Sequence, residues 1–199
     1  MIRSRRGTQV LLGALCALAA AAAAQPAPTA PKDATATTRA LHAKALAELP
    51  FSDQQDFADA RRGFVAALPD EVIRASDGRA VFDLTRYYFI RDREEAPVTV
   101  NPSLWRQERL VVTAGLFKVQ DGIYQVRGYD LSNMTIIEGD EGIILYDVMT
   151  SAETAKAALD LYYANRPRKP VVAVLYSHSH ADHFAGVRGV VSAADVAAG

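Results

Sequence analysis

Apolar positions recur at helical spacing over residues 41–49, at Leu41, Ala45, Leu46 and Leu49, and Pro50 stops the run. Ser52 and Gln55 then form a capping box before Phe57, Ala60, Phe64 and Leu68, which mark one face of a second predicted helix closed by Pro69. From there the period shortens. Residues 72–75 and 79–84 flank Ser76-Asp77-Gly78, a hairpin turn. Asn101-Pro102-Ser103 opens another helix, anchored by Leu104, Trp105, Leu110 and Val111 and ending near Ala114, where Gly115 breaks it. Residues 116–120 and 123–127 are strands around Asp121-Gly122, a strong hairpin signal. Residues 134–138 and 143–147 add two more, joined by Gly139-Asp140-Glu141-Gly142.

A different grammar follows. Thr150 with Glu153 caps a helix over residues 151–165, whose apolar face is Ala155, Ala158, Leu159 and Tyr162. Pro167 and Pro170 end it. Residues 171–176 are an unbroken apolar run of strand length, which predicts a strand buried on both faces. Strand, helix and strand from 143 to 176 make a βαβ-like unit, so the expected fold class is α/β, or α+β when counted by layers. Such folds commonly place ligands at the carboxyl ends of their strands.

Half of the 199 residues are apolar, enough for a core, and a formal net charge of −1 gives no electrostatic case for nucleic acid. The first segment stands apart. Arg3, Arg5 and Arg6 precede an alanine-rich apolar stretch, and Ala22-Ala23-Ala24 forms a cleavage pattern before Gln25. Residues 1–24 therefore read as a removable signal for export to the periplasm or medium. The stretch over 10–24 is shorter than the ~20 residues a spanning helix needs, so no stable membrane span is expected after its removal. Cys16, the only cysteine, leaves with it, and with it any disulfide or thiolate ligand. Residues 25–40, rich in Pro, Ala and Thr, read as a flexible leader. A helical and hairpin region at 41–115 and a second region at 116–199 complete the expected organisation.

The chemistry concentrates in six residues after the last predicted strand, His178-Ser179-His180-Ala181-Asp182-His183. They hold three of the chain's four histidines. Imidazole nitrogens with a carboxylate make a donor set that suits zinc. Extended residues alternate faces, so His178 and His180 point the same way and can hold one ion together. A turn after His180 lets Asp182 and His183 face a neighbouring ion, and Asp182 is also the candidate catalytic residue. Gly186 and Gly189 allow the backbone to pass close by. Asp147, at the end of the strand one crossover earlier, has two readings. It orients an imidazole of the ligand loop, or it only begins the turn into the next helix. His42 lies far from the cluster in sequence and reads as a surface or packing residue. A metal here makes hydrolysis the default chemistry.

The motif after a buried strand, with a strand-terminal aspartate one unit earlier, resembles the metallo-β-lactamase superfamily. Longer texts resemble its linear alkylsulfatases: Val100-Asn101-Pro102-Ser103-Leu104-Trp105-Arg106-Gln107, Ile123-Tyr124-Gln125-Val126-Arg127-Gly128-Tyr129-Asp130-Leu131-Ser132-Asn133-Met134-Thr135, and Tyr176-Ser177-His178-Ser179-His180-Ala181-Asp182-His183-Phe184. The resemblance implies an αβ/βα sandwich with two zinc ions, of which residues 116–199 are the first part, preceded by N-terminal helices. It implies that His178 and His180 bind one zinc, Asp182 and His183 the other, and that Asp147 is the family's strand-end aspartate. It further implies a hydroxide between the metals, alkyl sulfates such as dodecyl sulfate as substrates, fatty alcohol and sulfate as products, export, and a homodimer. The family carries further acidic and histidine ligands later in its chain, so the sequence reads as an N-terminal part of such an enzyme with little turnover alone. Two alternatives stand beside this: another hydrolase of the same fold acting on a lactam, thioester or phosphodiester, or a non-catalytic metal-binding remnant.

Overall fold

The computed structural model describes residues 30–198. The expected signal at 1–24, Cys16 included, lies outside those residues, as do residues 25–29 of the expected leader. The chain divides between Lys32 and Asp33, and every element named below belongs to the compact unit from Asp33 onward.

The first helix, α1 (Ala36–Glu48), begins inside the segment expected to be a leader. Thr35 is the reason: its hydroxyl accepts the Thr38 N–H at 3.1 Å, satisfying a donor that would otherwise be left at the helix start. No residue of α1 is buried. The second helix, α2 (Gln55–Arg61), is short; Gln54 stands at its N-cap without a side-chain cap bond, and Asp53 rather than Ser52 accepts the Gln55 N–H, at 2.8 Å. It does not reach Phe64 or Leu68. Gly63 adopts φ +73°, and a side chain there would meet the Lys118 carbonyl. The chain instead enters β1 (Phe64–Ala66), which pairs with a later strand. Long-range pairing thus overrides a helical periodicity.

The expected hairpin forms a separate two-stranded ribbon, β2 (Val72–Arg74) and β3 (Ala80–Asp83). A 3₁₀ turn over Leu84–Tyr87 then leads into α3 (Tyr88–Arg91), a helical segment with no counterpart in the sequence reading; it buries Leu84 and Ile90. In α4 (Pro102–Val111) the Asn101 side chain accepts the Ser103 N–H and Trp105 is buried, as the pattern predicts, but the expected anchors Leu104 and Val111 are 52% and 55% exposed and the helix stops short of Ala114.

The remaining strands are β4 (Gly115–Gln120), β5 (Ile123–Arg127), β6 (Met134–Glu138), β7 (Ile143–Tyr146) and β8 (Val171–Leu175). They form a six-stranded sheet in the order β1-β4-β5-β6-β7-β8. All pairs are antiparallel except β7 with β8, the parallel pair that closes the βαβ-like unit. The crossover is α5 (Ala152–Asn165). Its cap is Ser151 with Thr154, not Thr150 with Glu153. Thr150 is occupied elsewhere, donating both its N–H and its hydroxyl to Asp130.

Helix α5 packs Ala155, Ala158 and Tyr162 against Tyr124, Val126, Met134, Ile136 and Leu145 of the sheet. At the far end of that contact the Tyr162 hydroxyl donates to Glu138 at 2.8 Å, and Arg166 grips both oxygens of the same carboxylate at 2.9 and 3.0 Å. The α/β class expected from the pattern is the class observed. The burial of β8 is not. Val172 and Leu175 are 62% and 48% exposed. Among the described residues β8 has β7 as its single strand neighbour, and of its apolar run Val171 and Val174 pack against the core while Val172 and Leu175 stay exposed. After β8 come α6 (Ala181–Phe184), a 3₁₀ turn over Ala185–Gly189, and α7 (Ala193–Ala198). Among the described residues no helix is long and apolar enough to cross a membrane.

Candidate functional site

The parallel pair β7–β8 brings two loops together at its carboxyl end. The Asp147 N–H donates to the Leu175 carbonyl at 2.9 Å, so the loop after β7 starts beside the loop after β8. Two non-glycine residues of the first loop, Asp147 and Met149, have positive φ (59° and 64°). Aspartate tolerates that region better than most residues, and methionine held there stores strain of about 1–3 kcal/mol. The strain turns the chain back toward the histidine segment. The Val148 N–H then donates to the His183 carbonyl at 2.9 Å, and the Gly186 N–H to the Met149 carbonyl at 2.9 Å. Gly186 is required by this approach: a Cβ would sit 2.0 Å from the Val148 carbonyl oxygen.

Asp147 is buried and its carboxylate is fully engaged. One oxygen accepts the Ser177 N–H at 2.8 Å; the other accepts the Ser177 hydroxyl at 2.7 Å and lies 2.7 Å from His183 Nδ1. Burial pushes this carboxyl up. The Ser177 N–H, His183 and the Ser177 hydroxyl together outweigh it and hold the group below the usual carboxylate range. The hydrogen bond to Asp147 holds His183 above the usual imidazole value, against an opposing desolvation.

These contacts decide the ring tautomers. A carboxylate can only accept, so His183 carries a proton on Nδ1. The Ser177 hydroxyl gives its one proton to Asp147 and is left to accept from His178 Nδ1 at 2.9 Å. His183 and His178 therefore both turn their Nε2 atoms away from the Asp147–Ser177 pair. The His178 ring lies 4.0 Å from that of His183 and 4.6 Å from that of His180, centroid to centroid. The segment bends here and does not continue as a strand, yet His178 and His180 remain side by side. His183 Nε2 faces the Asp182 carboxylate at 3.2 Å. Two electron-pair donors that close need a proton or a cation to satisfy them. In donor chemistry the four motif residues fit a divalent ion. Among the described residues, though, no three His, Cys, Asp or Glu side chains surround a common point as a finished cage.

His42 is remote from this cluster, with Nδ1 3.2 Å from the Val98 carbonyl. Ser177, Asp130 and Ser132 were not singled out from sequence, although all three bond to the site or its supports. Ser177 stood beside His178 in plain view, but a serine before a histidine carries no periodic or spacing signal. Asp130 and Ser132 are distant in the chain and reach the loops only through the fold.

Residues 127–199 match the family model described as the Metallo-beta-lactamase superfamily. Over 168 residues, 84% of this chain, the sequence is 58% identical to a linear primary-alkylsulfatase from Pseudomonas sp. and 53% identical to an (R)-specific secondary-alkylsulfatase, also from Pseudomonas sp.. The structure of a stereoselective inverting sec-alkylsulfatase, Pisa1, from Pseudomonas sp. superposes with a TM-score of 0.76 at 54% identity, covering 84% of this chain and 26% of that one. The chain spans 25% of the length of each of the two sequence relatives.

Proposed function

Since residues 127–199 match the metallo-β-lactamase superfamily, which implies a metal cofactor, we propose that the full-length protein hydrolyses alkyl sulfate esters such as dodecyl sulfate to a fatty alcohol and sulfate. The observation that carries this reading is the convergence of three imidazoles and Asp182 at the carboxyl end of β8, with His183 held through Asp147, in a chain 58% identical to a primary alkylsulfatase. In this reading His178 and His180 hold one zinc ion, and Asp182 and His183 a second. When bound, zinc supplies positive charge that polarises the ester and stabilises the charge developing in hydrolysis.

The chain's own groups set the stage for that ion. Asp147 and Ser177 fix the protons of His183 and His178 on Nδ1, which leaves each Nε2 free to donate its lone pair. Asp182 keeps negative charge beside the His183 ring, offsets the cations and takes part in the catalytic step. The same reading assigns residues 1–24 as an export signal, places the mature protein in the periplasm or medium, and makes the working form a homodimer. A mature N-terminus at Gln25 checks the first assignment by mass spectrometry, and light scattering checks the last.

The decisive experiment incubates the full-length protein with dodecyl sulfate and follows released sulfate, with zinc content measured in parallel. Sulfate release with bound zinc is expected. Turnover of a lactam, thioester or phosphodiester without sulfate release would remove the alkylsulfatase reading. The variant His180→Ala is expected to lose zinc and activity together, since a missing ligand opens the site.

A further inference from the structure

Ser132 lies in the loop between β5 and β6, fifty residues before Asp182, and is buried. Its hydroxyl donates to the backbone carbonyl of Asp182. The position of that carbonyl explains why the bond matters. In a continuing helix the Asp182 carbonyl would accept the Gly186 N–H. Here Gly186 gives its N–H to Met149, which leaves the Asp182 acceptor to be satisfied from outside the helix. The next carbonyl, that of His183, is likewise taken by an outside donor, Val148. The turn that presents Asp182 and His183 is therefore held by two foreign hydrogen bonds.

The loop that delivers Ser132 is itself pinned at both sides of an exposed residue. Tyr129 is 1% exposed and its hydroxyl accepts the Leu68 N–H at 2.9 Å. The Asp130 carboxylate accepts the Thr150 N–H at 3.0 Å, the Thr150 hydroxyl and the hydroxyl of buried Thr154. Leu131 then stands 83% exposed, so the loop is not placed by apolar burial at that point but by its polar anchors. Asp130 also ties this loop to the start of α5, directly after the strained Asp147–Met149 turn.

From this geometry we propose that Ser132, set by the Asp130–Thr150–Thr154 anchor, is a positioning residue that fixes the backbone of Asp182 and His183 for metal binding. It touches no reacting atom. It acts through a carbonyl, setting where the Asp182 carboxylate and the His183 ring stand relative to His178 and His180. Preorganising ligands in this way costs nothing at the moment of binding, whereas a loose turn must be ordered by the ion. The inference rests on the metal centre proposed above.

The test uses cobalt(II) as the probe on the full-length protein, with affinity measured by competition against a chromogenic chelator and the ligand-field spectrum recorded alongside. Ser132→Ala is expected to weaken cobalt binding about 10–100-fold and to alter the spectrum, while Ser132→Thr, which keeps a hydroxyl, restores affinity to within about threefold. Ser132→Cys keeps the side-chain shape at a slightly larger volume but donates weakly, so a folded Cys variant that binds as poorly as the Ala variant assigns the loss to the hydrogen bond. If Ser132→Ala and Ser132→Cys match the unaltered protein in affinity and spectrum, the inference is overturned while the metal centre stands. If the unaltered protein binds no cobalt or zinc, the metal centre itself falls and this inference with it.

Discussion

Helices α1 and α5 are both foreshadowed by apolar residues at helical spacing, and of these two only α5 buries its face. Helix α1 leaves Leu41 and Leu46 60% and 57% exposed, whereas α5 sets Ala155, Ala158 and Tyr162 at 0%. Both stripes are legible as helical faces, but a face becomes core only where a second surface lies within reach. For α5 that surface is the sheet from β5 to β7; for α1, among the described residues, there is no comparable partner. The difference extends to function. The histidine cluster follows β8 in the β7–α5–β8 unit, whose Leu145, Ala155, Ala158 and Tyr162 are fully buried, while His178 and His180 themselves are exposed.

The contrast can be broken by substitution. Leu145→Ala, at a site with no exposure, is expected to cost about 2–5 kcal/mol in urea unfolding, because it removes buried methylenes and leaves a cavity. Next in size, Asp147→Ala should weaken zinc binding by about 10–100-fold, measured by titration calorimetry, since His183 loses the group that holds its ring. Unchanged affinity would show that Asp147 serves the turn alone.

The Glu138–Arg166–Tyr162 cluster sharpens the comparison through pH. Arg166 is the chief reason the Glu138 carboxyl lies below its usual value, with the Tyr162 hydroxyl assisting against desolvation. A carboxyl depressed in the folded state stabilises the fold above its unfolded pKa, and that stability is lost as pH falls through the folded value. Unfolding free energy should therefore drop on acidification from about pH 5 downward, and Glu138→Gln should flatten that slope. An equal slope in the Gln variant would mean that other carboxylates, Asp147 among them, carry the acid sensitivity. The smallest effect is expected at Leu41→Ala, within about 0.5 kcal/mol in the same urea assay. A cost near that of Leu145→Ala would show that α1 is packed in solution after all.

Much of the fold could be read ahead of the structure where local rules and global packing agree. The Asp121-Gly122 hairpin, the Asn101–Pro102 helix start and the βαβ-like unit all follow from short-range chemistry that nothing later contradicts. Misreadings cluster where a partner distant in sequence intervened. Phe64 satisfies a helical period with Phe57 and Ala60, yet pairs with Phe117 as a strand residue. Thr150 fits a capping box by spacing, but Asp130 claims its donors, and Ser151 caps instead.

The chain's own order of residues determined the donor set, because spacing alone places three imidazoles and a carboxylate within one short segment after an apolar strand. It also determined that an aspartate would end the strand one crossover earlier. Only the tertiary structure decided what that aspartate does. The parallel pairing of β7 with β8 and the left-handed turn at Asp147 carry its carboxylate onto Ser177 and His183, thirty and thirty-six residues away. Such contacts join groups whose separation along the chain has no period, so they exist only once the backbone has closed.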